Sequence, residues 1–115
     1  MAHPETPKPT PINVDKGMRL VTTSEIHIDC THDKEFQRAC LFALQRHLKG
    51  DDGDLDEEDK EQNEECRKTQ VGRVLSAYKV PAANERHHLT NKIWIITDGI
   101  GTADAVTTVL YPHEY

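Results

Sequence analysis

The stretch KEFQRACLFALQRHLKG, residues 34–50, decides the fold that this sequence predicts. Its apolar side chains, together with one histidine, recur at the period of an α-helix and form one continuous stripe: Phe36, Ala39, Cys40, Ala43, Leu44, His47 and Leu48. Asp33 is a favourable N-cap residue, and Gly50 lies where a helix commonly ends in left-handed backbone. We therefore expect a core helix from about Lys34 to Lys49.

Strands are predicted on both sides of this helix. Residues 18–24 form a short strand rich in β-branched side chains, and the alternating residues 25–29 extend it or form another. Residues 72–80, 92–97 and 106–111 predict a C-terminal three-stranded antiparallel meander. Residues 92–97, KIWIIT, are apolar on both faces, so we expect a central strand with Trp94 strongly buried.

A second helix is predicted from about Leu55 to Thr69, with Asp54 and Glu57 as a start that resembles a capping box. Its apolar stripe is thin, which favours a surface helix that is only lightly docked. The element order β-α-α-β-β-β predicts an α+β domain in which the meander packs on one amphipathic helix and the acidic helix lies at the surface.

The charge of the chain is concentrated in one place. The formal net charge is −6, but residues 51–65, the acid-rich segment, hold ten acidic residues and one basic residue, a charge of −9. The rest of the chain holds 13 basic and 10 acidic residues. Such a segment repels nucleic acid and attracts a basic protein surface, so direct binding of DNA or RNA is not expected.

We interpret the acid-rich segment as a partner-binding surface for a host or element-encoded protein with a basic surface. Its candidate residues are Asp51, Asp52, Asp54, Asp56, Glu57, Glu58, Asp59, Glu61 and Glu64. The alternative interpretation is a solvated helix that only keeps the protein soluble.

Composition sets the remaining expectations. Residues 1–16 contain four of the six prolines and predict a disordered or extended tail before a single domain, residues 17–115. Three cysteines fit a reducing compartment better than a disulfide framework, so we expect a cytoplasmic protein. No apolar run approaches the roughly 20 residues of a membrane span, and the first residues lack the apolar core of a signal peptide.

The sequence gives only weak signals for a metal-binding or catalytic site. His27, Cys30 and His32 lie close together, but their spacing matches no zinc-site pattern, and the acid-rich segment lacks the glycine that a calcium-binding loop requires. We expect no metal and no cofactor. Two alternatives stay open: a small metal-dependent or Cys/His enzyme that uses these residues or the loop 98–105, and a homo-oligomeric domain, such as a homodimer, that pairs through an exposed edge strand.

Three blocks of sequence resemble a known family. Residues 50–63 resemble a GDWGxLxxEDKxxN pattern, residues 72–78 a GxRLLSAY stretch, and residues 92–97 with 107–115 a KIWIIT…TTxLLPxEY ending. The chain thus resembles a family of small uncharacterised accessory proteins of plasmids and phages, some of which are labelled as restriction–modification subunits. Asp52 stands where the pattern has an aromatic residue.

The resemblance implies an accessory protein of a mobile genetic element and supplies no catalytic residues. Such proteins often interfere with host defence or adjust the upkeep of the element. We therefore expect a non-enzymatic protein that binds another protein, with inhibition of a defence system as one form that this activity takes.

Overall fold

The computed structural model of the chain describes residues 10–14, 17–81 and 91–115. Within these ranges it contains three α-helices and a four-stranded sheet, which confirms the α+β class. The elements in chain order are β1 (Arg19–Thr22), α1 (Ser24–His32), α2 (Lys34–Leu48), α3 (Glu57–Thr69), β2 (Val74–Lys79), β3 (Lys92–Asp98), β4 (Val106–Leu110) and a 3₁₀ helix (Pro112–Glu114).

The sheet has the strand order β1-β4-β3-β2. Strands β2, β3 and β4 form the expected antiparallel meander, and β1 adds to β4 in parallel. The strand β3 is therefore central, as predicted, whereas β1 and β2 are the two edges of the sheet.

The helix α2 is the core helix that residues 34–50 predict. The Asp33 side chain accepts a hydrogen bond from the Phe36 N–H at 3.1 Å, which caps the helix, and Gly50 follows its end with a φ of 93°. Phe36 and Cys40 are buried on one face of the sheet against Ile93 and Ile95 of β3. This layer is the main core of the domain.

The prediction that residues 25–29 are extended is wrong, because they belong to α1. The Thr23 side chain accepts from the Ile26 N–H and caps this helix. The sequence of residues 25–29 alternates between polar and apolar side chains, as in a strand. In the structure Ile26 and Asp29, three residues apart, are the buried ones, as on one face of a helix. The cap decides in favour of the helix.

The second face of the sheet is covered less completely than the first, and the prediction that Trp94 is strongly buried is wrong. Trp94 is only half-buried, and the ring of Tyr115 packs edge-on against it with the centroids 5.5 Å apart. The Arg73 guanidinium lies 5.3 Å from the Tyr115 ring. Tyr115 contributes cover for Trp94 at this point of the sheet.

The described part of the predicted tail, residues 10–14, belongs to the domain. Ile12 is only 4% exposed and packs with Val74 and Ile100 in a second, smaller core cluster. The Ile12 N–H donates to the Leu48 carbonyl oxygen at 2.9 Å. The expectation of a tail outside the domain is therefore wrong for these residues, and its remainder, residues 1–9 and 15–16, lies outside the described ranges.

Candidate functional site

The acid-rich segment runs along the β2 edge of the sheet and carries α3. The helix begins at Glu57, two residues later than predicted, because Asp56 rather than Asp54 is the N-cap and accepts from the Asp59 N–H at 2.8 Å. It ends at Thr69 and is followed by Gln70, whose backbone is left-handed. Acidic residues in the first turn, with Arg67 and Lys68 in the last, suit the helix dipole.

Asn63 holds α3 against β2, because its carboxamide forms the hydrogen bonds that the backbone of a neighbouring strand would form. Its side-chain amide nitrogen donates to the Leu75 carbonyl oxygen at 2.7 Å, and its oxygen accepts from the Leu75 N–H at 3.3 Å. One carboxamide thus satisfies both backbone groups that Leu75 turns outward from the sheet. Asn63 is itself buried.

The next outward-facing residue of β2, Ala77, bonds to the start of the acid-rich segment. The Ala77 N–H donates to the Asp52 carbonyl oxygen at 3.3 Å, and the Asp54 N–H donates to the Ala77 carbonyl oxygen at 2.8 Å. Gly53 between them is required here, because its φ is 70° and a Cβ atom would lie 1.9 Å from the Ala77 oxygen. The β2 edge is therefore sealed at Leu75 and at Ala77.

A buried ion pair also connects α3 to the start of the acid-rich segment. The Arg67 guanidinium donates two hydrogen bonds to the Asp52 carboxylate, at 2.6 and 3.1 Å, and the two side chains are 2% and 5% exposed. Burial lowers the pKa of Arg67, but the hydrogen bonds and charge of Asp52 outweigh it, so the net shift of this pKa is upward. Asp52 also accepts from Asn63 at 3.0 Å, so the pair and the edge seal form one network.

This network changes the composition of the predicted partner surface. Asp52 is buried and paired with Arg67, so its place on that surface is wrong. The pattern of charges in the sequence does not show which acidic residues stay exposed and which form an ion pair with a residue further along the chain. Arg67 lies 15 residues away in the chain, which is why the sequence pattern missed it.

Other candidate residues also have structural roles. Asp51 binds Arg46 at 2.7 Å, and this hydrogen bond, ahead of smaller effects, holds the pKa of Asp51 below its usual value. Glu64 accepts from the Thr10 N–H at 2.8 Å and contacts Arg67 at 3.4 Å. Burial acts to raise the pKa of Glu64, and the contacts with Thr10 and Arg67 more than offset it.

Asp51, Asp54 and Asp56 are exposed before the helix begins, and the exposed acidic residues within α3 form its outward surface. We call this surface the acidic face, and it consists of Glu57, Glu58, Asp59, Glu61 and Glu65. Among the described residues, Glu57 has one partner, Lys60 at 3.7 Å, in an exposed pair that contributes little energy. Glu58, Glu61 and Glu65 follow one another along the side of the helix opposite to Asn63 and Arg67, so docking of α3 leaves them free.

A buried polar chain lies between α2 and the sheet, and it explains a residue that sequence analysis placed on the apolar stripe. His47 bonds to the Ser76 hydroxyl and the Thr97 hydroxyl, both at 2.7 Å. Thr97 continues the chain to Thr107 at 2.7 Å. Burial, and to a lesser degree the charge of Arg67, lowers the pKa of His47 to about 3, so the imidazole is neutral at physiological pH.

The residues considered for metal binding do not assemble into a site. No group of three or more potential ligands for a metal ion occurs in residues 10–14, 17–81 and 91–115. His27 and Cys30 instead line an apolar cavity of about 270 Å³ with Cys40. Burial raises the pKa of both thiols, so they are protonated and weakly nucleophilic at neutral pH.

The alternative site, the loop 98–105, is a largely exposed turn that is anchored by a buried side chain and by hydrogen bonds. Ile100 is buried, and its N–H donates to the Gly72 carbonyl oxygen at 3.2 Å. The Thr102 hydroxyl donates to the Gly99 carbonyl oxygen at 2.7 Å. The first contact connects the loop to the segment that follows α3, and the second closes the loop on itself.

None of the helices in the described ranges has the length and apolarity that a membrane crossing requires. Comparison of the chain with protein-family models, with curated proteins and with solved structures finds no match. The geometry of α3 and of the sheet edges therefore carries the functional argument.

Proposed function

We propose that this protein is a non-enzymatic accessory protein of a mobile genetic element that acts by binding another protein through the acidic face of α3. The observation that carries the proposal is that one side of α3 is bonded to the rest of the domain while the other side is exposed. Asn63 and Arg67 fix α3 to the sheet, while Glu58, Glu61 and Glu65 stay exposed on the opposite side. The charges are thus displayed on a helix that is held in a defined position.

Electrostatics favour a basic protein surface as the counterpart. Like charges three and four residues apart, as in Glu58, Glu61 and Glu65, repel one another and reduce the stability of the helix. A basic partner relieves this repulsion and is steered to the acidic face over a distance of about 8–10 Å at ordinary ionic strength. A surface that otherwise holds nucleic acid has this character.

The resemblance to small proteins of plasmids and phages suggests the setting. A host or element-encoded protein with a basic surface is the partner that we propose, and inhibition of a defence system is one outcome of such binding. The protein would act in the cytoplasm, where partners of this kind are found.

The proposal is tested by comparing which proteins bind to the immobilised wild type and to two variants that have the same net charge as each other. The variant Glu58→Gln/Glu61→Gln removes two charges from the acidic face, and the control Glu35→Gln/Asp104→Asn removes two exposed acidic charges elsewhere. Both variants make the formal net charge of −6 less negative by two. We expect a basic protein that is retained by the wild type and the control and lost from the first variant.

The capture is compared at low and high salt by quantitative mass spectrometry. A specific partner is released by salt and is depleted with the first variant only. Equal depletion with both variants would show a response to net charge alone, and no depletion with either would remove the acidic face from the binding surface.

A further inference from the structure

The strand β1 is an open edge of the sheet. Its residues, Arg19–Thr22, are all exposed, and among the described residues the strand pairs only with β4. The Arg19 N–H donates to the Ala105 carbonyl oxygen and the Thr23 N–H to that of Val109. In a parallel ladder the residues between them alternate, so Leu20 and Thr22 turn their N–H and C=O groups away from the sheet.

The two edges of the sheet are treated differently. At β2, Asn63 and the segment 52–54 occupy the outward backbone groups of Leu75 and Ala77. At β1, the described residues provide no such cover. An uncovered edge is a template for another strand, so β1 is the edge at which this sheet can be extended.

An apolar groove adjoins this open edge. The cavity of about 270 Å³ lies between β1, α1 and α2, and no Asp, Glu, Lys or Arg side chain lines it. Leu20 and Leu41 contribute to its walls and are 56% and 54% exposed. The site therefore suits a strand that offers backbone hydrogen bonds and one apolar side chain on the same face.

We infer that the occupant is β1 of a second copy of this chain, paired antiparallel about a two-fold axis at Val21. In this register Leu20 pairs with Thr22 of the second copy, and the same pair repeats on the other side of the axis. All four outward backbone groups of each strand are then used. The product is one continuous eight-stranded sheet.

The side chains match in this register. Leu20 and Thr22 pair with Thr107 and Val109 of β4 and so share the face that carries the groove. Leu20 of the second copy arrives beside Thr22 on that face and covers the mouth of the groove. On the opposite face the two Val21 side chains, each 42% exposed without a partner, meet at the axis.

The distribution of charge allows a second copy to bind at β1. The acid-rich segment lies at β2, the edge furthest from β1. In the eight-stranded sheet the two segments are separated by seven strand spacings, about 34 Å, which is several Debye lengths. Their repulsion is therefore screened, and the acidic face of each copy stays available. A four-residue strand buries less than about 1,200 Å², so the dimer is weak.

Sedimentation of the full chain over a concentration series tests the dimer. We expect monomer at about 10 μM and a growing dimer fraction towards about 500 μM. Val21→Lys places two like charges at the axis and weakens association at least about tenfold. Phe42→Lys, on an exposed part of α2 that does not line the groove, is the matched control and leaves association unchanged.

Cross-linking tests the register independently of this variant. Val21→Cys brings two thiols together at the axis, and oxidised glutathione converts them into an intermolecular disulfide. Arg19→Cys lies on the same face of β1 but opposes residue 23, so it cross-links no more than the wild type. Equal cross-linking at both positions would overturn the register.

A chain that stays monomeric at the highest concentration would overturn the inference. If its Leu20 and Thr22 amide signals then shifted on addition of an extended peptide of another sequence, the edge would belong to a foreign strand. The variant Glu58→Gln/Glu61→Gln distinguishes this inference from the proposed function. We expect it to lose the basic partner and still to form the dimer.

Discussion

At the residue scale, Asp52, Arg67 and His47 show how this small domain buries polar groups. The guanidinium of Arg67 is paired with Asp52, and the imidazole of His47 is hydrogen-bonded on both ring nitrogens. Each group is satisfied in a different way, one by an opposite charge and one by neutrality. The energetic consequences differ accordingly.

Removing Asp52 leaves the Arg67 charge buried without its main counter-ion. We expect Asp52→Ala to lower the free energy of unfolding by about 3–5 kcal/mol, measured by urea denaturation. The double variant Asp52→Leu/Arg67→Met removes both charges and is expected to lose less than the single variant. A double variant as unstable as Asp52→Ala would show that the edge seal, not the ion pair, dominates.

The depressed pKa of His47 makes stability depend on pH in a defined direction. Below pH 6.5 the unfolded chain binds a proton that the native imidazole, with its pKa of about 3, does not bind. The contribution of His47 to stability is therefore full well above pH 6.5 and falls as the pH drops, by about 2 kcal/mol on reaching pH 5.

Denaturation midpoints at several pH values measure this loss, and His47→Gln provides the control with a flatter profile. Proton NMR gives a second readout that does not require the variant to fold. We expect the His47 imidazole signals to stay constant from pH 7 to about pH 4.5. Titration of these signals near pH 6.5 would contradict the buried neutral state.

At the element scale, strong periodicity was sufficient and weak periodicity was not. The stripe of residues 34–50 predicts α2 and its caps, and the apolar strands predict the meander. Residues 25–29 are too few to distinguish alternation from helical spacing, so α1 was missed. Asp54 and Asp56 are chemically equivalent caps, and only the bond of Asp54 to Ala77 decides between them.

The seal of the β2 edge could not be predicted from sequence. Asn63 looks like one more polar residue on an acidic helix until its carboxamide is seen at Leu75. The same holds for the burial of Asp52, since its pairing with Arg67 depends on how α3 crosses the edge. Side-chain partners across a fold are set by tertiary packing, which local patterns do not contain.

Asn63→Leu tests the seal. The substitution leaves the N–H and C=O of Leu75 without partners at a covered edge, so we expect a loss of about 2–4 kcal/mol in unfolding free energy. Faster hydrogen exchange of the Leu75 amide would accompany it. Gln62→Leu, at the exposed neighbouring position of α3, is the control with a change near zero. Similar losses in both variants would contradict the seal.

At the scale of the whole molecule, the two edges of the sheet define two surfaces. The β2 edge is closed and presents the acidic face of α3, whereas the β1 edge is open beside an apolar groove. We propose that the first surface binds a basic partner and infer that the second joins two copies. A dimer would then present two acidic faces at opposite ends of one sheet.

The most direct test of the central proposal is the salt dependence of association with the captured partner. Association rates are measured at two salt concentrations for the wild type, Glu58→Gln/Glu61→Gln and the control Glu35→Gln/Asp104→Asn. We predict that the first variant associates about three- to tenfold more slowly at low salt and has a flatter salt dependence, while the control matches the wild type. Identical rates and identical salt dependence in all three proteins would contradict a binding role for the acidic face.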